Sequence, residues 1–255
     1  HCVLPPQILK NKKQFDYYQT LNSKGIRRLI NQAAISGVRR FIYISSIKVN
    51  GQSTCEISQK DNSANHNKMM FTHLDIPAPD DFYASFKWQA EQILWDEASK
   101  TGIEVVVIRP PLIYGPQVKG NLAHLLKLVG SGLPLPLGAV KNQRSLIGID
   151  NLIDILIRCV DCPTVVGKTL LVSDGNDLST PDLIYNIASV LKKPVHLFPV
   201  PISLLRLIGY STGTSALIGR LVDSLRIDSQ RTYKLLNSKP KVTVSEGIRR
   251  MVQSS

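Results

Sequence analysis

The feature that most constrains the fold is a β-branched run, EVVVIRPPLIYGP (104–116), placed directly after a helical segment. That segment, YASFKWQAEQILWDEASKTG (83–102), is closed by Gly102, a residue suited to a helix C-terminus. A buried-strand pattern, RFIYISS (40–46), comes before it and itself follows a helical pattern at 15–37. Strands and helices that alternate with short joins indicate a parallel sheet covered by helices.

The pattern changes after Pro116. NLAHLLKLVGSG predicts a helix, RSLIGIDNLIDILIRCV a strand running into a helix, and GKTLLVSDG another strand. STPDLIYNIASVLKK begins with a Ser/Thr-Pro helix start, and from about residue 190 helices dominate. We predict an α/β fold with a sheet domain at 1–116 and a smaller mixed lobe at 117–255. The two interleave, because RSLIGID and TLLVSDG can return to the sheet.

Composition places the chain among globular proteins. Of its 255 residues, 43% are hydrophobic and 20% are charged, and no apolar run is long enough to cross a bilayer. The N-terminus has neither an initiator methionine nor the pattern of a secretory signal, so we interpret the chain as a fragment of a cytoplasmic protein.

The net charge of +12 indicates an anionic partner: nucleic acid, a membrane surface or a phosphorylated substrate. No nucleic-acid motif is present, and a phosphate-bearing small molecule explains a positive site more economically. The single pair Cys159 and Cys162, in CVDC, is interpreted as two small apolar residues at a helix end. With the histidines scattered, the sequence predicts no metal site.

A candidate catalytic pair lies in DDFYASFKWQAE (80–91), where Tyr83 and Lys87 are four residues apart. Residues at this spacing share a helix face, so the ammonium can favour the phenolate form of the tyrosine. Spacing alone is weak, but RFIYISS ends in Ser45-Ser46, and ligands of open α/β sheets gather at the carboxyl ends of strands.

This series resembles the extended short-chain dehydrogenase/reductases of the NAD-dependent epimerase/dehydratase family, in particular the UDP-sugar 4-epimerases. The resemblance covers nearly the whole chain and implies a Rossmann-like fold. It implies that Ser46, Tyr83 and Lys87 are catalytic, with a proton exchanged at the sugar C4 oxygen and hydride exchanged with nicotinamide. It also implies that Ser45 and Pro110 join Tyr83 and Lys87 at a bound NAD or NADP.

Further matches imply a UDP-sugar substrate. GNLAHLL resembles the segment that contacts the nucleotide, through Asn121, and NQRSLIGIDNLIDIL resembles the family's diphosphate segment, through Arg144. GRLVDSLRID supplies Arg220 and Asp223. An arginine fork suits diphosphate geometry. In RPPLIYGP, Pro111 or its neighbour stands where the family carries a polar residue.

ISSIKVNG, LPLPLG and LVSDG are similar to one branch, the reductases of UDP-4-keto-6-deoxy-N-acetylhexosamine that supply surface polysaccharides. There Lys48 lies beside the sugar, where epimerases more often carry a small hydroxyl residue. A UDP-glucose or UDP-GlcNAc 4-epimerase is the alternative within the family. The sequence does not choose NAD or NADP, and it leaves the oligomeric state open, a homodimer being one candidate.

One family feature is missing: no G-x-x-G-x-x-G or G-x-G-x-x-G occurs in the 255 residues. This turn brings backbone N–H groups and a helix N-terminus to the pyrophosphate. We therefore expect that the first strands of the Rossmann-like domain are lacking. A truncated, non-catalytic UDP-sugar-binding protein is the alternative from another class, and a nucleic-acid binder is the weakest interpretation.

Overall fold

The structure, a computed structural model, describes residues 12–54 and 70–254. The helices in these ranges are α1 (Lys12–Ile35), α2 (Phe82–Thr101), α3 (Asn121–Gly130), α4 (Ile149–Asp161), α5 (Thr180–Leu191), α6 (Ile202–Ser211), α7 (Ser215–Val222), α8 (Gln230–Leu235) and α9 (Val244–Gln253). The strands are β1 (Arg40–Ile44), β2 (Glu104–Arg109), β3 (Leu112–Tyr114), β4 (Leu146–Gly148) and β5 (Lys168–Leu171). Short 3₁₀ turns occur at Ile47–Val49 and Pro163–Val165.

The main sheet is parallel, with the strand order β1-β2-β5. Phe41 of β1 lies opposite Val105 of β2, and Ile108 of β2 lies opposite Leu170 of β5. Because β2 is central and covered on both faces, it is buried from Val105 onward. This arrangement confirms the predicted α/β fold. β5 comes after residue 116 in the chain and joins this sheet, as the predicted interleaving requires. The domain boundary at residue 116 stays a prediction.

The single strand predicted at 104–116 is in fact two. Pro110 and Pro111 separate β2 from β3, because proline has no backbone N–H for a sheet ladder. β3 pairs in parallel with β4, so RSLIGID joins this second, two-stranded sheet and not the main one.

Helices cover both faces of the main sheet, as the alternation of side chains along β2 requires. On one face Val105 and Val107 pack with Ile30 of α1 and Leu94 of α2. On the other face Val106 and Ile108 belong to a cluster formed largely by α4 and β5, with members Leu152, Ile155, Cys159 and Leu170.

Local chemistry fixes where α2 and α5 begin and where α2 ends. The Asp81 side chain accepts the N–H of Ala84 and so caps α2, whose other end is Gly102 in a left-handed conformation, φ 75°. Ser179 and Asp182 form a capping box at the start of α5. The position of Tyr83 in the first turn of α2 follows from the Asp81 cap.

Candidate active site

The carboxyl end of β1 meets the first turns of α2, where Tyr83 and Lys87 lie. The Lys87 Nζ donates a hydrogen bond of 2.8 Å to the carbonyl of Ile44, the last residue of β1. The same Nζ lies 4.8 Å from the centre of the Tyr43 ring and 5.8 Å from the centre of the Tyr83 ring. Lys87 is buried. Its ammonium is oriented by the end of β1 and lies close to the ring of Tyr83, the residue that it was predicted to assist.

A second ammonium approaches the same tyrosine from the loop after β1. The Lys48 Nζ lies 5.8 Å from the Tyr83 ring centre and pairs with the Asp81 carboxylate at 2.8 Å. Asp81 thus holds Lys48 and caps α2 with different oxygens. The ammonium groups of Lys48 and Lys87 thus both lie near the ring of Tyr83. Sequence reasoning had placed Lys48 at the sugar, and the structure brings it to Tyr83.

Ser45 and Ser46 point into different surroundings. Ser45 is buried, and its hydroxyl donates to Glu91 of α2. Ser46 caps the 3₁₀ turn that follows, where its Oγ accepts the Lys48 N–H at 3.3 Å. Ser46 therefore lies on the loop that presents Lys48 to Tyr83. A direct hydrogen bond from Ser46 to Tyr83 or to the substrate stays a prediction.

Pro110 lies at the end of β2 and is buried; its carbonyl accepts the N–H of Ile47 at 2.9 Å. This bond ties the loop after β1 to the end of β2. Ser45 and Pro110 both have structural roles at this edge. Their contact with a cofactor stays a prediction.

A buried charged network behind the pair was missed by sequence reasoning. The Arg109 guanidinium donates from Nε to Glu91 Oε1 at 3.0 Å and from Nη2 to Oε2 at 2.5 Å. Its Nη1 donates to the Asn50 Oδ1 at 2.9 Å. The available signal was Glu91, one turn beyond Lys87 on the same helix face. This network joins α2 to the ends of β1 and β2 and so sets where the catalytic pair lies.

The second lobe gathers the arginines predicted to bind diphosphate. The Arg144 Nη1 donates to the Asp223 carbonyl at 2.9 Å. Burial lowers the pKa of Arg144; Asp223 opposes that shift, and nearby Arg220 adds to it. The Nε of Arg220 is buried without a hydrogen-bond partner among the described residues. Two guanidinium groups held close together, one with an unused donor, suit a dianionic ligand.

Asp223 has protein partners of its own, and its contact with a substrate stays a prediction. Its carboxylate pairs with Arg206 at 2.6 Å, and its carbonyl accepts from Arg144 and from the Asn142 side chain. In this structure Asp223 therefore positions the arginines. Asn121, the first residue of α3, is exposed, and its contact with a nucleotide stays a prediction.

Backbone hydrogen bonds join the arginine cluster to the loop that follows Ser46 and Lys48. The Thr54 N–H donates to the Ser224 carbonyl at 2.9 Å, and the Phe71 N–H donates to the Arg226 carbonyl at 2.8 Å. Residues directly after Asp223 are thus tied to Thr54 and to Phe71.

The two cysteines of CVDC lie at the end of α4, as interpreted from the sequence. Cys159 is buried in the core, where burial raises the pKa of its thiol to about 11. Across 12–54 and 70–254, no three His, Cys, Asp or Glu side chains are grouped so as to hold a metal ion. In the same ranges, no helix combines the length and apolarity needed to span a bilayer.

Comparison with known proteins places this geometry in a family. The family model described as NAD dependent epimerase/dehydratase matches residues 1–171. A UDP-glucose 4-epimerase of Vibrio cholerae is 38% identical over 260 residues, which cover all of this chain and 75% of that protein.

Two solved structures share the fold. RMD from Pseudomonas aeruginosa, complexed with NADPH, gives a TM-score of 0.73 at 18% identity, covering 100% of this chain and 79% of that one. UDP-glucose 4-epimerase from Thermotoga maritima with UDP-glucose gives a TM-score of 0.70 at 17% identity, covering 98% of this chain and 75% of that one. The chain belongs to the NAD-dependent epimerase/dehydratase family of nucleotide-sugar enzymes.

Proposed function

We propose that this chain acts at C4 of a UDP-sugar as a 4-epimerase, with Tyr83 as the acid/base. The observation that supports this most strongly is that two ammonium groups, those of Lys48 and Lys87, each lie 5.8 Å from the centre of the Tyr83 ring. The Vibrio cholerae relative, 38% identical, carries the name UDP-glucose 4-epimerase.

The residues at the strand edge fit the nicotinamide end of the family's cofactor. Lys87 is oriented by the Ile44 carbonyl, and an ammonium group is a donor of the kind that ribose hydroxyls accept. Nicotinamide held at this edge would supply a hydride acceptor and donor for the sugar C4. Tyr83 takes the proton of the C4 hydroxyl as hydride leaves and gives it back when the alcohol forms again.

The proposed UDP site is the arginine cluster of the second lobe. Arg144 and Arg220 supply two guanidinium groups, and the buried Nε of Arg220 has no hydrogen-bond acceptor among residues 12–54 and 70–254. A diphosphate supplies such acceptors, and its charge offsets the repulsion between the two arginines.

A 4-keto-sugar reductase is the second candidate, and Lys48 is the observation that favours it. Its ammonium lies 5.8 Å from the centre of the Tyr83 ring, so a 4-keto oxygen held at Tyr83 would lie near a cation. The same active site would then work in one direction, with Tyr83 donating a proton as hydride arrives.

The test compares Tyr83→Phe with the unaltered protein and with Tyr185→Phe, which changes an exposed tyrosine of α5. UDP-glucose with excess NAD is followed for UDP-galactose, and a UDP-4-keto-6-deoxy sugar with excess NADPH is followed for NADPH consumption. Loss of general acid/base catalysis should slow Tyr83→Phe by roughly 10²–10⁴-fold, with Tyr185→Phe unaffected. Turnover of only the keto sugar supports the reductase. Equal rates for Tyr83→Phe and the unaltered protein contradict both candidates.

A further inference from the structure

Asn142 lies two residues before Arg144, in the segment that leads into β4, and is buried with only 4% of its surface exposed. Among residues that the structure describes, its amide makes four hydrogen bonds. Its Oδ1 accepts the Thr180 N–H at 2.8 Å, and its Nδ2 donates to the Thr180 hydroxyl at 3.1 Å. The same Nδ2 donates to the carbonyls of Leu221 at 3.1 Å and Asp223 at 3.2 Å. One buried amide therefore joins three segments of the second lobe.

The partners of Asn142 belong to two helix ends. Thr180 is the first residue of α5, where a backbone N–H has no acceptor within the helix, and the Leu221 carbonyl belongs to the last turn of α7. Because the Thr180 N–H can only donate, it directs Oδ1 toward α5 and leaves Nδ2 for α7. The Thr180 hydroxyl also donates to the Leu221 carbonyl, at 2.7 Å. A single side chain thus caps the start of α5 and the end of α7.

The helix end that Asn142 holds carries Arg220, the residue directly before Leu221. No ion pair of Arg220 occurs in the described part of the chain, and its buried Nε has no hydrogen-bond partner there. The position of its guanidinium therefore depends on where the end of α7 lies. Arg220 lowers the pKa of Arg144, so the two like charges repel. Contacts that hold α7 against this repulsion come from other groups, and the Asn142 amide supplies two of them.

Arg144, in contrast, is held by its own backbone. Its N–H donates to the Leu178 carbonyl at 2.8 Å, and its carbonyl accepts the Leu178 N–H at 3.0 Å. The residues before and after Arg144 make backbone hydrogen bonds with Leu225 at 2.9 and 2.8 Å. Loss of the Asn142 amide should therefore displace Arg220 and leave Arg144 in place.

We propose that Asn142 is a positioning residue of the UDP site: its amide fixes the end of α7 and so places Arg220 beside Arg144, where both can bind one diphosphate. This role rests on the proposed function, in which the two guanidinium groups bind UDP. A purely structural role would lower stability as well, but it would not make the effect on UDP affinity depend on Arg220.

Calorimetric titration with UDP tests this role in Asn142→Ala. Asn151→Ala is the matched control, because Asn151 is 2% exposed and its amide also makes four hydrogen bonds within the described residues, to Asp174 and to the backbone of residues 241 and 242. Urea denaturation should show lower stability for both variants, since each leaves buried backbone groups unpaired. Only Asn142→Ala should bind UDP more weakly, by roughly ten-fold, the lower end of the loss expected when a charged partner is removed.

The Arg220→Met background separates positioning from a general loss of structure. In that background, Asn142→Ala should change UDP affinity by less than about two-fold, because the residue that it positions is already gone. Thr180→Val is a milder variant that answers the same question if Asn142→Ala does not fold. It removes one donor to the Leu221 carbonyl and should weaken UDP binding by about three-fold, again only while Arg220 is present.

Three results overturn the proposal: unchanged UDP affinity in Asn142→Ala (or in Thr180→Val, where only that variant folds), an equal loss in Asn151→Ala, or the same loss with and without Arg220. Unchanged UDP affinity in Arg220→Met alone is a different failure. It would remove UDP from the arginine cluster, and the proposed UDP site would fall together with the role of Asn142.

Discussion

Arg109 and Glu91 form a bidentate ion pair that is buried on both sides, with side-chain exposures of 6% and 0%. The pair connects the carboxyl end of β2 to α2, one helical turn beyond Lys87. Ser45 and Asn50 add hydrogen bonds to its two ends, and Trp88 lies 5.5 Å from the guanidinium carbon. The position of Lys87, the lysine proposed to be catalytic, therefore depends on a contact between residues 18 apart in sequence.

Glu91→Ala should lower the free energy of unfolding by about 3–5 kcal/mol, because it leaves the Arg109 charge buried and unpaired. Urea denaturation measures this change. Asp161→Ala is the matched control: it removes an ion pair with Arg39 whose carboxylate side chain is 85% exposed, and it should change stability by less than about 1 kcal/mol. A loss for Glu91→Ala no larger than that of the control would show that the buried pair does not hold α2 in place.

Tyr114→Phe should destabilise the protein in a pH-dependent way. The Tyr114 hydroxyl donates to the Asp174 carboxylate at 2.7 Å. Burial raises the pKa of Asp174, while hydrogen bonds from Asn151, Tyr114 and Gly148 oppose this rise. A folded pKa above the unfolded value means that ionised Asp174 costs stability as the pH rises through the folded pKa. The Tyr114 bond offsets part of that cost.

At neutral and higher pH, loss of this bond to a charged acceptor should therefore cost about 1.5–3 kcal/mol, falling toward about 1 kcal/mol once Asp174 is protonated. Denaturation at pH 8 and at pH 5 measures the trend. Tyr233→Phe provides the comparison, because Tyr233 donates to the neutral Ser173 carbonyl at 2.9 Å and its loss should depend little on pH. An equal loss for Tyr114→Phe at both pH values would contradict the expected trend: a small loss at both would show that Asp174 stays protonated, and a large loss at both that it stays ionised.

The 255-residue chain should bind NADH weakly. Lys87 and the end of β1 can hold the nicotinamide side, but the sequence contains no glycine-rich turn to supply N–H groups to the pyrophosphate. Nicotinamide fluorescence during an NADH titration measures the affinity. Fusing a strand–turn–helix that carries G-x-x-G-x-x-G to the N-terminus should tighten binding. Tight binding by the unfused chain would mean that another part of it holds the pyrophosphate.

Sequence patterns were sufficient at the end of α2, where Gly102 has the left-handed conformation that suits a helix C-terminus. The cap at Asp81 and the break at Pro110 also depend on one residue type each, and the cap was not predicted. The break was nevertheless missed, because a β-branched run on both sides of the prolines matched one continuous strand.

Contacts between distant segments were not predictable in the same way. Tyr114 and Asp174 are 60 residues apart, and no periodicity connects them. Ser45 was assigned to the cofactor from its place at a strand end, whereas the structure directs its hydroxyl to Glu91. Side-chain direction at a strand end depends on the facing helix, which single-sequence spacing does not specify.

Arg220→Met should weaken UDP binding without weakening the fold. Arg220 lowers the pKa of Arg144, so the two charges repel when no ligand is bound. No ion pair of Arg220 occurs within the described ranges, and its buried Nε lacks a partner. Removing the guanidinium relieves repulsion and an unsatisfied donor, so the free energy of unfolding should stay level or rise.

Calorimetric titration with UDP should show roughly ten- to hundred-fold weaker binding for Arg220→Met and for Arg144→Ala, since each removes a charged partner worth about 1.5–3 kcal/mol. Arg158→Ala, which removes an arginine that pairs with Asp154 on α4, should bind UDP like the unaltered protein. Arg144→Ala should also lose stability, because Arg144 donates to the Asp223 carbonyl. The two arginines thus separate binding from folding: a drop in stability with unchanged UDP affinity in both variants would make the cluster purely structural.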